Sequence, residues 1–568
     1  MVVLQDISNT KISKRLGKVL IYLAYSPLIL LPLSLYTIIL FPLFPDEIAT
    51  RPYLSRLPYD FPYRASGVGV CYSDFYQAIP SSHLLPGFIN WLIHGLAESP
   101  TSLRLIGICI FISWISCLAI YFIKKVKELN INSGVNKVHM TLIPVSMMVS
   151  LLFVGVLPFF LVMNRNEQLF FPAVILLIFV SISCFNSSKK YSLISKIILT
   201  VVFVVASSLL LYGHGKGLFL TPFILIIGWS LSNIYKNSVF VFILVVSGLL
   251  FSSTQAYMVW TNLYACTDYM AYDGFLKSFA INPISLFNDT NVFFEKIYLS
   301  LMRSGEYLQH MMFKTSYQWD YLPGQKNGIL FQIINFLITT NTIAIFIGSV
   351  VLSTFYYISD IIKGRYLTVN FSLFILIFCL FINTLFNLTK NFYDAHYFYI
   401  AITIVFIILI AENALLNLKS KVVCVVIVYL GIVSLLSQFL FIKQNTVAFM
   451  NGFTGPGIQI GKYEKNKLHE TISEASKSCN IDPINSEHVV TDDLTYGFFR
   501  KSHGPISYTY IFIDGRPNPL HRLITNIDVG GFVVDCNLMN EELRSISTQK
   551  NGICCISKAK IIDVYSSK

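Results

Sequence analysis

The chain has 568 residues, 54% of them hydrophobic and only 13% charged, with a mean hydropathy of +0.63 and a net charge of +12. These values lie far from those of a soluble globular protein and describe an integral membrane protein. They also make nucleic-acid binding an unnecessary reading of the charge, because lysine and arginine concentrate in short connections between apolar runs, where they act as a topology signal.

In chain order, about eleven apolar runs are long enough to cross ~30 Å of hydrocarbon as helices. They lie near 20–41, 101–123, 139–163, 169–186, 192–212, 217–234, 237–257, 329–355, 366–386, 397–416 and 421–441. Helices are required because open strands would leave peptide groups unpaired in lipid. Lys11, Lys14, Arg15 and Lys18 precede the first run, and Lys124, Lys125, Lys127, Lys189, Lys190, Lys236, Lys363, Arg365, Lys419 and Lys421 occupy alternate connections. The positive-inside rule then places the N-terminus in the cytoplasm and, with an odd number of spans, the tail from Lys443 outside. The first run is too long for a signal-peptide core and lacks a small-residue cleavage site, so no cleavable leader is expected.

The expected architecture is therefore a polytopic α-helical membrane domain over 1–442 followed by a small extracytoplasmic α/β domain over 443–568. The tail carries short apolar runs at 510–513 and 531–534, with turn signals at Asp514-Gly515 and Asn551-Gly552. Cys109, Cys117, Cys184, Cys379 and Cys424 fall inside expected spans, where a small apolar thiol needs no function. Cys71, Cys266, Cys479, Cys536, Cys554 and Cys555 all fall on the outer side, an even set compatible with disulfides in an oxidising compartment. Their spacing gives no zinc signature.

The outer side also receives the unusual polar clusters. Asp46 and Glu47 follow the first run, between Pro45 and Pro52, where the chain turns away from the bilayer. A carboxylate there is placed to act as a general base, and a neighbouring like charge raises its proton affinity; equally, the pair can cap the loop or meet Arg51, Arg56 or Arg64. The apolar but short 82–96 stretch suits a helix at the membrane surface. Ser99 and Pro100 open the next span, and Arg104 enters the bilayer near its outer edge, either snorkelling or pairing. A tight turn at 164–168 holds Arg165, whose planar fork suits a phosphate, and Glu167, which can orient it or touch a sugar hydroxyl. The turn at 213–217 has three glycines around His214 and Lys216, allowing close approach of backbone to a ligand beside a point charge, without Walker spacing. A further cluster at 390–397 mixes Tyr393, Asp394 and His396. Lysine-side turns are nearly pure Lys/Arg with Ser and Asn, whereas these mix acids, His, Arg and aromatics, and that asymmetry favours an outward-facing site.

Taken together, these motifs resemble the GT-C superfamily of membrane glycosyltransferases, which includes aminoarabinose transferases, protein O-mannosyltransferases and bacterial O-antigen glycosyltransferases. Asp46-Glu47 resembles the acidic motif of the first outer loop, the 82–97 stretch its surface helix, and Ser99-Pro100 with Arg104-Leu105 the opening of the second span. Asn164-Arg165-Asn166-Glu167 is similar to an Arg-Pro-Glu turn with Asn166 in place of proline, and His214-Gly215-Lys216 to a His/Lys turn of the same bacterial group. The likeness covers the architecture of about 440 residues and not the tail. It implies inverting transfer of a sugar from a polyprenyl-phosphate donor to an envelope glycan such as O-antigen at a bacterial inner membrane. Asp46 would be the base, and Arg165, His214 and Lys216 would meet the lipid phosphate. Metal need stays open, since some members use divalent ions and others do not. Two rivals remain, an O-antigen polymerase-type enzyme and a lipid-linked glycan flippase or transporter. The latter should show charges or broken helices near the bilayer midplane.

Overall fold

A computed structural model describes residues 11–40, 100–132, 134–164, 166–185, 191–213, 215–235, 242–243, 245–250, 254, 281, 285–310, 328–387, 392–418, 420–451, 468–482, 489–492, 495–499, 506–507, 530–539 and 541–566. The membrane part is built from α1 (Lys11–Ile39), α2 (Pro100–Asn130), α3 (Lys137–Leu152), α4 (Leu157–Val162), α5 (Phe170–Phe185), α6 (Leu193–Gly213) and α7 (Thr221–Ile234), then α8 (Thr290–His310), α9 (Ile329–Ile362), α10 (Val369–Asn387), α11 (Phe392–Glu412) and α12 (Lys421–Asn451). Eight candidate spans are long and apolar enough to cross a bilayer, and α3 and α5 are shorter apolar helices. The expected eleven therefore meet eight full spans and two shorter helices among the described residues, while the run at 237–257 falls largely outside them. The last long helix continues to Asn451, past the expected division at 442.

Helix α11 is the centre of the bundle. Its span is 89% buried, against 22–50% for the others, as expected for a helix apolar on every side. Elsewhere in the bundle, α1 and α12 pack along one another. Proline at position 27 removes the amide that would bond the Leu23 carbonyl, and the Ser26 hydroxyl donates to that carbonyl instead, at 2.8 Å. The carbonyl of Pro27 accepts from Gln438 Nε2 on α12, and Ser34 Oγ donates to Gln438 Oε1 at 3.1 Å. Gly431 lets α12 approach closely: a Cβ there would lie 2.5 Å from the Leu23 carbonyl oxygen.

The 139–163 run is not one helix. It breaks between Leu152 and Leu157, where Gly155 takes φ +55° and Pro158 sits in the first turn of α4. Hydropathy alone does not register such a break, because every residue through it is apolar or glycine. The freed backbone is satisfied inside the protein: Gly155 N donates to Ser437 Oγ at 2.7 Å, and Tyr399 Oη donates to the Leu151 carbonyl at 3.3 Å.

After the bundle comes an α/β unit with its own core. Its longer helices are α13 (Leu468–Ser478), α14 (Glu541–Ile546) and α15 (Lys558–Ser566), beside a single turn at Tyr496–Phe499, and its strands are β1 (Val489–Thr491), β2 (Ile506–Ser507), β3 (Gly531–Asp535), β4 (Thr548–Lys550) and β5 (Ile553–Ser557). The sheet order is β2-β1-β3-β5-β4, with β1 parallel to β2 and β3 and with β5 antiparallel to β3 and β4. Adjacent cysteines on β5 point to opposite faces, as strand geometry demands: Cys555 bonds Cys479 beyond the end of α13, and Cys554 bonds Cys536 after β3. By chain entropy, closing loops of these lengths contributes about 3 to 5 kcal/mol each.

Candidate functional site

Contacts sort the membrane helices into two ends. At one, Tyr25 meets His139, Lys125 meets Glu412, and Asn413 meets Asn370. At the other, Asn164 meets the Leu103 carbonyl, Asn383 meets the Lys216 carbonyl, and Asn445 meets the Thr37 carbonyl. Among the described residues, the first end carries Lys124, Lys125, Lys127, Lys363 and Arg365, and the second carries Arg104, Lys216, His396 and the turn Asn166–Leu169.

Arg104 lies in the first turns of α2 and is wholly buried, with its guanidinium carbon 5.1 Å from the centre of the Phe159 ring on α4. A cation on an aromatic face in a desolvated place is held by about 2 kcal/mol. Its position is fixed by close helix packing. Gly107, one turn further on, faces the Val162 carbonyl so tightly that a Cβ would come within 2.0 Å of that oxygen. Asn164 and Gln168, which follow α4, then grip the same face of α2. Asn164 donates to the Leu103 carbonyl, and Gln168 Nε2 donates to the carbonyls of Gly107 at 3.0 Å and Leu161 at 3.2 Å. Arg165 lies outside the described residues, and Glu167 sits in the 3-10 turn Asn166–Leu169, so the turn that carries both is anchored beside Arg104.

Lys216 is half-buried in the 3-10 turn Gly215–Leu220. Gly217 is packed against the Leu210 carbonyl, which a Cβ would strike at 1.7 Å, so the turn folds back directly onto the end of α6. The buried Asn383 of α10 donates to the Lys216 carbonyl at 3.0 Å. His396 is wholly buried in the second turn of α11, with its ring 4.5 Å from Phe160; Tyr397 beside it donates to Met163 Sδ at 3.7 Å and stacks on Phe171. Neighbouring aromatics Phe159 and Phe160 of α4 thus join Arg104 on one side to His396 on the other. Tyr393 and Asp394 fall in the first turn of α11. Asp46, Glu47 and His214 lie outside the described residues.

The structure accordingly brings Arg104, the 164–168 turn, Lys216 and His396 to one end of the bundle. Sequence reasoning missed Asn383, whose signal is an amide followed by Thr384 near the end of a largely apolar run. It also gave Asn164 and Gln168 no role of their own. Among the described residues, no group of three or more His, Cys, Asp or Glu side chains gathers as a metal site. Chemically, the arrangement offers cations and an imidazole-bearing helix braced by neutral amides at one mouth of an apolar bundle. Comparison with protein-family models and with curated proteins finds no match to this chain.

Proposed function

We propose that this protein is an inverting membrane glycosyltransferase of GT-C type, moving a hexosyl group from a polyprenyl-phosphate donor to an extracytoplasmic envelope glycan such as O-antigen, in a bacterial inner membrane. The observation that carries the reading is the gathering of the 164–168 turn, the Lys216 turn, Arg104 and His396 at the bundle end opposite the lysine-rich connections. Two disulfides in the C-terminal unit support an oxidising compartment for the tail, and the positive-inside rule supports the same side for the site.

In this reading Asp46 takes the proton of an acceptor hydroxyl as that oxygen attacks the anomeric carbon, and the bond from that carbon to the phosphate oxygen breaks with inversion. The leaving polyprenyl phosphate carries the negative charge, and Arg165, His214 and Lys216 stabilise it as it separates. Glu47 tunes the proton affinity of Asp46; Glu167, Arg104, Tyr393, Asp394 and His396 shape the sugar and acceptor subsites. A divalent ion is not required by any of these steps.

The test is glycan transfer in membranes measured beside donor binding. Asp46→Asn is expected to lower transfer by on the order of 10²–10⁴ while donor binding persists, the amide keeping the shape but not the proton affinity. Near wild-type transfer by that variant overturns the assignment. A second reading, a lipid-linked glycan transporter, draws on one observation, the interruption of the 139–163 run beside Ser437. Donor translocation without transfer would favour it. A polymerase-type enzyme would instead show loss of chain extension with Asp46 dispensable.

A further inference from the structure

Helix α8 does not fit the bundle as a span. It has 21 residues, about 31 Å of helix, but contains Glu295, Lys296 and Arg303 and is not among the eight candidates. It is nevertheless attached to the membrane part at a definite level. Phe293 packs 5.9 Å from Phe386 near the end of α10, and Ile281, a few residues upstream of α8, donates its amide to the Phe386 carbonyl at 2.8 Å. Contacts with α9, α10 and α11 complete the attachment. That level is the end of the bundle bearing Asn383 and Lys216, just where α10 leaves its apolar span.

At 100° per residue, α8 divides into sides with different chemistry. Phe293, Ile297, Ser300 and Ser304 turn toward the protein and are buried or half-buried. About a quarter-turn away, Phe294, Tyr298 and Leu301 form a row 58%, 60% and 49% exposed. Lys296 and Arg303, seven residues apart and half-buried, fall on the side opposite that row, with the exposed Met302 and Leu299 between them on the outer face. An exposed row of two aromatics and a leucine would be costly in water, at about 25 cal/mol for each Å² left wet. The row does not stand alone, because Ile329, Leu330, Ile333 and Phe336 at the start of α9, a helix in contact with α8, are likewise exposed and apolar. On a spanning helix such residues face lipid, so the α8 row belongs to a helix packed against one already committed to the bilayer.

We infer that α8 lies in the membrane interface, with the Phe294, Tyr298 and Leu301 row immersed at the headgroup–acyl boundary and Lys296 and Arg303 on the headgroup side, so that the occupant of this face is bilayer lipid. Such a helix rests residues 290–310 on the membrane surface beside the candidate site. The inference is independent of the proposed chemistry.

Its test is site-directed photo-crosslinking of the full chain in native membranes, with benzoylphenylalanine in place of Phe294, Tyr298 or Leu301, and of Lys296 as the control. Mass analysis should find lipid adducts at 294, 298 and 301 in several-fold higher yield than at 296, with wild-type accumulation of each variant. A crosslinked dimer would assign the face to a second copy, a crosslink to another protein would assign it to that partner, and equal yields at all four positions would leave α8 without orientation. Each of those results overturns the inference.

Discussion

Among the described residues, amides hold backbone carbonyls at both ends of the bundle, as Asn130 does the Leu416 carbonyl at 3.4 Å and Asn383 the Lys216 carbonyl at 3.0 Å, but the two ends place their charges differently. At the lysine-rich end, charges satisfy one another: Lys125 Nζ lies 2.6 Å from Glu412, which also accepts from Tyr121, and Asp360 takes Arg365 at 2.7 Å and Asn370 at 2.9 Å. At the other end, neutral amides grip backbone carbonyls next to the charged residues, Asn164 beside Arg104 and Asn383 on Lys216 itself. An ion pair spends its charge on holding helices together. An amide on a carbonyl holds the chain through groups that carry no net charge. In these contacts charge fastens the first end, and neutral amides hold the second.

Charge removal at the two ends should therefore separate activity from stability. Lys216→Ala is expected to lower glycan transfer by on the order of 10²–10³, the scale for losing one fixed group that stabilises developing charge. Protein yield and melting temperature should stay near wild type, and a variant that loses yield in proportion to activity would erase the contrast. Gly107→Leu tests the packing that seats Arg104. The side chain must displace the Val162 carbonyl, so about 1–3 kcal/mol or more of stability should be lost, read as a lower melting temperature in detergent. Glu412→Gln should do the reverse of Lys216→Ala, costing about 1–3 kcal/mol by leaving Lys125 without its partner in a half-buried place, with transfer per folded molecule unchanged. Loss of transfer without loss of stability in that variant would show that the fastening end also takes part in chemistry.

A smaller effect is expected outside the bundle. Asp492, at the end of β1, is wholly enclosed and accepts from the Thr495 amide at 2.7 Å, the Thr495 hydroxyl at 2.8 Å and the Asp535 amide at 2.6 Å. Burial pushes its carboxyl above the usual range, helped by the neighbouring Asp535 carboxylate and opposed by those three donors. The folded state then binds the proton more tightly than the unfolded chain. Its contribution to stability is full below pH about 4 and is lost as pH rises through the raised folded value. Hydrogen exchange of β1 and β3 amides in the full chain, corrected for intrinsic rates, should show greater protection at low than at neutral pH. Asp492→Asn should remove that difference.

How much of this was legible in the sequence follows from what each signal measures. Long apolar runs announce spans because lipid demands them, and the runs around 101–123, 329–355 and 397–416 reappear as α2, α9 and α11. Hydropathy averages over a window, so it passed over the break at Gly155 and gave α3 and α4 as one span, although a glycine followed three residues later by a proline was present. Clusters of mixed charge drew attention to Arg165 and Lys216, but the amide that holds Lys216 comes from a helix 167 residues away. No local pattern announces a partner at that distance. The inward placement of His396 against Phe160 was equally hidden, since a histidine near a helix start reads the same whether it faces solvent or core.

The neighbouring cysteines of β5 impose a discipline on the maturing chain. Cys554 and Cys555 differ by one position, and one position along a strand exchanges its two faces. Crossing the bonds, Cys479 to Cys554 and Cys536 to Cys555, would demand that β5 present the wrong face to α13, carrying Ile553 away from the core it shares with Val489 and Val533. Correct pairing is thus a readout of correct strand register, and any reshuffling of these bonds during oxidation lets the tail proofread its own sheet.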